Sequence, residues 1–174
     1  MAKIITAAEA ADLIRDGMTL GVSGFGAFAS PDYVMEAMSR KFKEQNTPRD
    51  LTIVSGVAPG DFVEDGCGLS KIKDEGIIRT LIASHLRMSP AIGRACSENK
   101  IAAFSMPLGV YGQLLNAIGS KRPGIITHVG LNTYADPRQD GCKMNALAKA
   151  DGREMVELIH VSGKDYLFYK AFHI

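Results

Sequence analysis

Thr19-Leu20-Gly21-Val22-Ser23-Gly24-Phe25-Gly26-Ala27-Phe28-Ala29-Ser30-Pro31 carries three signals in one stretch. Thr19 to Val22 is a short apolar run bounded by turn formers, which predicts a strand. Ser23 to Ala29 holds small residues, two glycines and two phenylalanines, and reads as a loop. Ser30-Pro31 pairs an N-cap residue with proline at the first helical position. Val34, Ala37, Met38 and Phe42 then recur at helical spacing towards Gln45. A strand, a glycine turn and a helix N-terminus aim backbone N–H groups at whatever lies in front of them. In an open α/β sheet, ligands lie outside the carboxyl ends of the strands. A phosphate, a carboxylate or a thioester oxygen would be stabilised there. A tight turn that needs glycine only for space accounts for the same residues.

The pattern repeats outwards. Upstream, Thr6-Ala7-Ala8-Glu9 is a capping box that opens a helix with Ala10, Leu13 and Ile14 on one face, stopping before Asp16-Gly17. Downstream, Leu51 to Val54 is a second strand, leaving through Ser55-Gly56-Val57-Ala58-Pro59-Gly60. The charged, glycine-rich stretch from Asp61 to Asp74 predicts loop with one helical turn. Ile77 to Ile82 is a third strand, and Ser89-Pro90 opens a helix to about Asn99. Ile101 to Phe104 is a fourth strand, closed by Pro107, and Val110 to Ile118 is helical despite Gly112. Ile125-Ile126 is a weak strand signal. Met155 to Val161 and Tyr166 to Phe172 alternate around Ser162-Gly163-Lys164-Asp165, a β-hairpin pattern. Strands alternating with helices predict an α/β fold: an open, mostly parallel sheet with helices on both faces and a C-terminal β-hairpin. Without repeats, low-complexity tracts or a linker, residues 1–174 read as a single α/β domain. The apolar ending, Tyr169 to Ile174, contrasts with the polar tails usual of domains and leads us to expect the domain to continue.

Composition narrows the function classes. Of 174 residues, 46% are hydrophobic, enough for a core. Twenty Lys+Arg against nineteen Asp+Glu leave a formal charge of +1, no footprint for nucleic acid or an anionic membrane. No apolar run approaches the ~18 residues of a membrane span. Met1-Ala2-Lys3-Ile4-Ile5 lacks the features of a secretory signal, so a cytoplasmic protein is expected. Cys67, Cys96 and Cys142 are odd in number and include no CxxC pair, predicting three reduced thiols. His85, His128, His160 and His173 show no ligand spacing, so no metal site is expected.

Several phosphate and nucleophile motifs fail. The dinucleotide fingerprint puts glycine where Ala29 stands and an acid where Ser55 and Gly56 stand. Gly163-Lys164 has Leu158 in place of the P-loop's first glycine. Gly21-Val22-Ser23-Gly24-Phe25 misses the nucleophile elbow. Two other stretches stand out. Ser84-His85-Leu86-Arg87-Met88-Ser89-Pro90 puts His85 and Arg87 at a strand's carboxyl end, either as a basic cleft wall or as a solvated loop. Gly130-Leu131-Asn132-Thr133-Tyr134-Ala135-Asp136-Pro137-Arg138 contains the turn initiator Asp136-Pro137 and is elaborate for a plain connection.

Asp16 to Pro31 resembles the signature of family I coenzyme A transferases: Asp/Asn-Gly, two residues, an apolar triplet, Gly-Gly-Phe, then a small residue and proline. Ser23 replaces the first glycine of the pair, and Ala29 replaces a glycine before Ser30-Pro31. Further matches follow in order. They are Pro48-Arg49-Asp50-Leu51-Thr52-Ile53-Val54-Ser55, Ser89-Pro90-Ala91-Ile92, Glu98-Asn99-Lys100-Ile101-Ala102-Ala103 and Pro107-Leu108-Gly109-Val110. Lys121-Arg122-Pro123-Gly124-Ile125-Ile126, Val129-Gly130-Leu131 and Thr133 come next. Asp136-Pro137-Arg138-Gln139 with Gly141-Cys142-Lys143-Met144-Asn145 is similar to the acetate and propionate CoA-transferase branch.

The resemblance implies the first, alpha-type half of an acyl-CoA:carboxylate CoA-transferase for short acyl groups such as acetyl and propionyl. It implies CoA and acyl-CoA as substrates rather than a resident cofactor. Its partners would be a second, beta-type half, in the same or a separate chain, and further copies in a homo-oligomer. The family's nucleophile is a glutamate that becomes a glutamyl-CoA thioester, and it lies in the second half. No Glu here matches its motif, so it is expected beyond residue 174, and this segment alone is expected to be inactive. The resemblance places Gly24, Phe25, Gly26, Leu108 and Gly109 on the substrate-facing side. Relatives often carry glutamine where Leu108 stands, and leucine can neither donate nor accept a hydrogen bond. A small-molecule or phosphosugar-binding domain and a non-catalytic assembly subunit are the alternative readings.

Overall fold

The computed structural model describes residues 3–174; Met1 and Ala2, part of the stretch read against a secretory signal, lie outside the described residues. Four strands, β1 (Thr19–Gly21), β2 (Leu51–Val54), β3 (Ile78–Ala83) and β4 (Ala102–Ser105), form a parallel sheet in the order β1-β2-β3-β4. Helix α1 (Ala7–Asp12) precedes it. Helix α2 (Asp32–Gln45), a 3-10 turn at Gly68–Ile72 and helix α3 (Pro90–Ser97) fill the crossovers. Parallel crossovers are right-handed, so a sheet built strictly in chain order carries its connections on one face. Met35 and Met38 of α2, Leu69 and Ile72 of the 3-10 turn, and Ile92 and Cys96 of α3 accordingly share one buried cluster with Leu51, Ile53 and Leu81 of the sheet.

The opposite face needs its own cover. Val54, Ile82, Ala102 and Phe104 point there and meet Val110 and Leu114 of α4 (Leu108–Gly119) and Ala148 of α5 (Ala146–Ala150). The same cluster takes Val156, Leu167 and Tyr169 from a second sheet. This antiparallel sheet, in the order β5-β7-β6, joins β5 (Gly124–Thr127), β6 (Val156–Val161) and β7 (Lys164–Lys170). The expected C-terminal hairpin is therefore present, but β5 makes it three strands. Ser162 and Gly163, both with positive φ, form its two-residue turn, the backbone that matches strand twist. Between Leu51/Thr52 and Ile78/Thr80 the register slips by one residue. The slip lets Ile78 join the same core as Leu81 although period-2 alternation would separate them.

Local expectations differ in three places. The capping box holds: Thr6 Oγ1 accepts the Glu9 N–H and the Glu9 carboxylate accepts the Thr6 N–H. Yet the buried residue of α1 is Ala11, and Leu13 is 68% exposed because the helix ends one residue before it. Ser30 is not an N-cap; Pro31 takes that position and no side chain caps α2. Ser89 is the N-cap residue of α3, but its hydroxyl donates instead to the Pro59 carbonyl at 2.7 Å. Among the described residues no helix is long and apolar enough to cross a membrane.

Candidate functional site

The loops leaving β1, β2 and β3 are laced together along the carboxyl edge of the parallel sheet. Gly60 donates its N–H to the Gly26 carbonyl at 3.0 Å, and Ala58 donates to the His85 carbonyl at 3.0 Å. Gly26 in turn donates to the Met88 sulfur at 3.2 Å. A side chain at Gly60 would overlap the Met88 carbonyl, so glycine is what lets the second and third loops touch.

Within the first loop, Phe25 and Phe28 exchange N–H and carbonyl groups, 3.1 Å each way, around Gly26-Ala27. This small hairpin holds both rings outwards, Phe25 61% and Phe28 80% exposed. It also corrects one expectation. The stretch Gly24-Phe25-Gly26 was to offer its N–H groups to a ligand. Phe28 takes the one on Phe25, and Met88 takes the one on Gly26. The Gly24 N–H makes no hydrogen bond among the described residues. Gly24 sits at φ +133°, and a Cβ there would stand 3.0 Å from Pro59 Cβ. Both facts restrict the position to glycine.

Leu108 opens α4, just past the carboxyl end of β4, and is 50% exposed. A Cβ on Gly56 would lie 3.2 Å from Leu108 Cδ1 and 3.3 Å from Tyr111 Cε1. Leu108 and Tyr111 thus sit on the bare backbone at the end of β2. A Cβ on Gly109 would point into open space. Burial pushes the Tyr111 phenol up from its ordinary value.

His85 and Arg87 are exposed and, with Phe62 and Met88, line an open depression of about 580 Å³. Met88 is common to it and the first loop, so the structure brings the first two stretches together. Phe62 was not picked out from sequence, and its φ of +66° is unusual for an aromatic residue. Glycine and charge around it hid the signal.

The third stretch is built differently. The buried Asp136 carboxylate accepts from the Asn132 N–H at 2.9 Å, the Arg138 N–H at 3.0 Å, and Arg138 Nε and Nη2 at 2.9 and 2.7 Å. Arg138 Nη1 continues to Asp165 on β7 at 3.2 Å. Arg138 holds the Asp136 carboxyl well below the usual range, although burial opposes the shift. The Asp136 carboxylate and the Arg138 guanidinium are thus engaged within the protein, and the loop ties itself to the second sheet.

Asn145 is a second clasp. Its Nδ2 donates to the carbonyls of Cys96 and Ile101, both at 2.7 Å, while Oδ1 accepts from Ala103 and from Ala148 at the start of α5. Cys96 and Cys142 are buried, and loss of hydration pushes both thiols up to about 12. They are packing residues, inert at neutral pH. No three His, Cys, Asp or Glu among the described residues gather as a metal site would require.

A parallel α/β sheet with carboxyl-edge loops pinned by glycines defines a broad class of folds that carry small-molecule sites. Within it the chain belongs to the coenzyme A transferase family, which residues 4–174 match. It is 42% identical over 174 residues to the caffeate CoA-transferase of Acetobacterium woodii, covering 100% of this chain and 32% of that protein. The solved structure of the acyl-CoA transferase YdiF of Escherichia coli O157:H7, a thioester complex with CoA, superposes with a TM-score of 0.88. That match is at 35% identity over 97% of this chain and 32% of the other. The acetate CoA-transferase subunit alpha of Escherichia coli K12 is 28% identical over 134 residues, 77% of this chain and 57% of that subunit. The chain is therefore of the alpha type, and it spans about a third of the first two relatives.

Proposed function

We propose that these residues form most of the first half, as one α/β domain, of an enzyme that moves coenzyme A between a short-chain acyl-CoA, such as acetyl- or propionyl-CoA, and a second carboxylic acid. The observation that carries this reading is the family match over residues 4–174. The second, beta-type half supplies the nucleophile, a glutamate outside this chain. The setting is cytoplasmic acyl-CoA metabolism, in a homo-oligomer. No resident cofactor is needed, because CoA is itself the substrate.

The reaction divides into balanced steps. The glutamate carboxylate attacks the thioester carbonyl and expels CoA thiolate, leaving a mixed anhydride. The thiolate then attacks the glutamyl carbonyl of that anhydride, forming a glutamyl-CoA thioester and releasing the first acid as its carboxylate. A second carboxylate reverses the sequence and leaves as a new acyl-CoA. Covalent catalysis keeps the thioester's energy in the enzyme throughout. Each attack puts negative charge on a carbonyl oxygen. The Gly24 N–H at the carboxyl edge, without a partner among the described residues, is suited to that charge, since a preorganised donor costs nothing to reorient. Phe25, Leu108 and Gly109 stand on the same edge as apolar or bare surface towards the acyl group.

The test is covalent labelling. Incubated with acyl-CoA, the complete two-half enzyme should gain the mass of CoA less one water on a glutamate outside residues 1–174, and hydroxylamine should remove it. The 174 residues alone should gain nothing. An unlabelled complete enzyme, or a label on a residue of this chain, would overturn the proposal.

A further inference from the structure

Resting on the homo-oligomer of the reading above but not on its chemistry, we infer that the free edge of β6 pairs with the same edge of a second copy, so that one antiparallel sheet runs through both. The hairpin register fixes which backbone groups point outwards. Its two-residue turn makes Val161 and Lys164 a hydrogen-bonded pair, and such pairs alternate along the ladder. At the far end Lys170 donates to the Met155 carbonyl at 3.1 Å, in the same phase. Glu157 and Ile159 therefore bond towards β7. The N–H and carbonyl groups of Leu158 and His160 face away from it, and they make no hydrogen bond among the described residues.

Proteins blunt such edges with proline, lysine or a bulge. Strand β6 has none of these: it reads Val-Glu-Leu-Ile-His-Val and pairs with β7 in unbroken register. The outer edge of β4, by contrast, is taken by the chain itself, where Ser105 donates to Cys142 and Met144 donates to Ala103. Strands β1 and β5 also end their sheets, but they run for three and four residues against six in β6. Leu158 marks the missing cover. It stands opposite the wholly buried Leu167 and so shares its core-side face, yet it is 38% exposed.

A second copy supplies that cover in one register. A two-fold axis normal to the sheet centres the pairing on a single residue. A centre at Leu158 would need the backbone of Val156, which is 1% exposed and already covered. A centre at His160 would need Ser162, which the turn bends out of the strand at φ +50°. The centre at Ile159 remains. There Leu158 of each copy exchanges both hydrogen bonds with His160 of the other. Ile159 meets Ile159 as a close pair without hydrogen bonds, about 4.5 Å between Cα atoms. Glu157 falls opposite Val161, so no like charges face each other. The edge is thus complementary to itself.

The test uses the complete transferase, with sedimentation velocity and cysteine cross-linking as readouts. Ile159→Lys sets like charges opposite each other across the axis and should halve the mass of the assembly. Ile159→Cys should oxidise to a disulfide with its own counterpart, since facing Cα atoms at that spacing are within reach of the bond. Val161→Cys, which faces Glu157 instead, should form none with its counterpart. The cross-link keeps the inference falsifiable if the lysine variant fails to fold. An assembly whose mass ignores Ile159→Lys, with no bond between the two introduced cysteines of Ile159→Cys, would overturn the β6 pairing and leave the oligomer and the transferase reading standing. A disulfide from position 159 to a cysteine elsewhere in the enzyme would show another segment covering the edge, and would overturn it as well. A wild type with the mass of one two-half unit at every concentration would overturn the homo-oligomer itself, and the pairing with it.

Discussion

The hydroxyl of Ser23 donates to the carbonyl oxygen of Ala29 at 3.2 Å. These are the two positions where the loop departs from the glycines of the signature it resembles. Ala29 occupies the left-handed region at φ +56°, which costs a residue with a Cβ about 1–2 kcal/mol. The Ser23 hydrogen bond across the neck of the loop is worth about 1 kcal/mol and offsets much of that strain. Each departure is tolerable because of the other.

Ala29→Gly should therefore stabilise the protein by about 0.5–1 kcal/mol, the relieved strain less the entropy glycine adds to the unfolded chain. Ser23→Gly should cost about 1 kcal/mol in the parent and less in the Ala29→Gly background. Urea unfolding of the four-member cycle reads this directly. Strictly additive effects would show that the two positions do not communicate.

Asn145 is bonded to three elements at once, so its loss should be felt well beyond α5. Asn145→Ala leaves the carbonyls of Cys96 and Ile101 without their donor and should cost about 2–3 kcal/mol. Asn145→Asp should be worse near neutral pH, because it turns a carboxylate oxygen towards two carbonyl oxygens, and should partly recover as pH falls. Denaturant midpoints at pH 7 and pH 4 separate the two variants.

Asp136 gives the fold a definite acid dependence. Its folded pKa is lowered, chiefly by the hydrogen bonds from the Arg138 side chain. Such a group binds fewer protons folded than unfolded, so its contribution is complete above the unfolded pKa of about 3.9 and is lost as pH falls through the folded value. Asp136→Asn should melt several degrees below the parent at pH 7, and the gap should narrow as pH drops from about 5 towards 2. A gap constant across that range would mean that Asp136 acts by shape alone.

Gly24→Val should displace the loop and with it the Gly24 N–H, lowering kcat/KM of the complete transferase by about 10²–10³-fold, the size of effect seen when one oxyanion donor is lost. The φ of +133° and the 3.0 Å approach to Pro59 leave valine no unstrained place. Unchanged kcat/KM for acetyl-CoA with propionate would remove Gly24 from the reaction.

The parallel sheet was readable because each of its strands is an apolar run leaving through a small-residue loop, and β2 matches its predicted span residue for residue. Misreadings came where a local rule met a distant partner. Ser30-Pro31 has the composition of a cap, but the left-handed Ala29 starts the helix one residue later. Strand β5 is weak because Ile125-Ile126 is short and its partner β7 lies some forty residues on. The candidate loops were legible as loops, but their donors were not. The Gly26 N–H is taken by a sulfur sixty-two residues away. The ligand-like polarity of Asp136 and Arg138 is spent within the loop and on β7.

The order β1-β2-β3-β4 repeats the order of the chain, so every strand is laid beside the one made just before it. During synthesis the sheet can grow as the polypeptide leaves the ribosome, without opening to admit a later arrival. The antiparallel sheet cannot, since β5 must wait for β7. A nascent chain stalled after β4 and before α4 would hold one finished core and leave Val54, Ile82 and Phe104 uncovered, a stage at which a chaperone would find its binding surface.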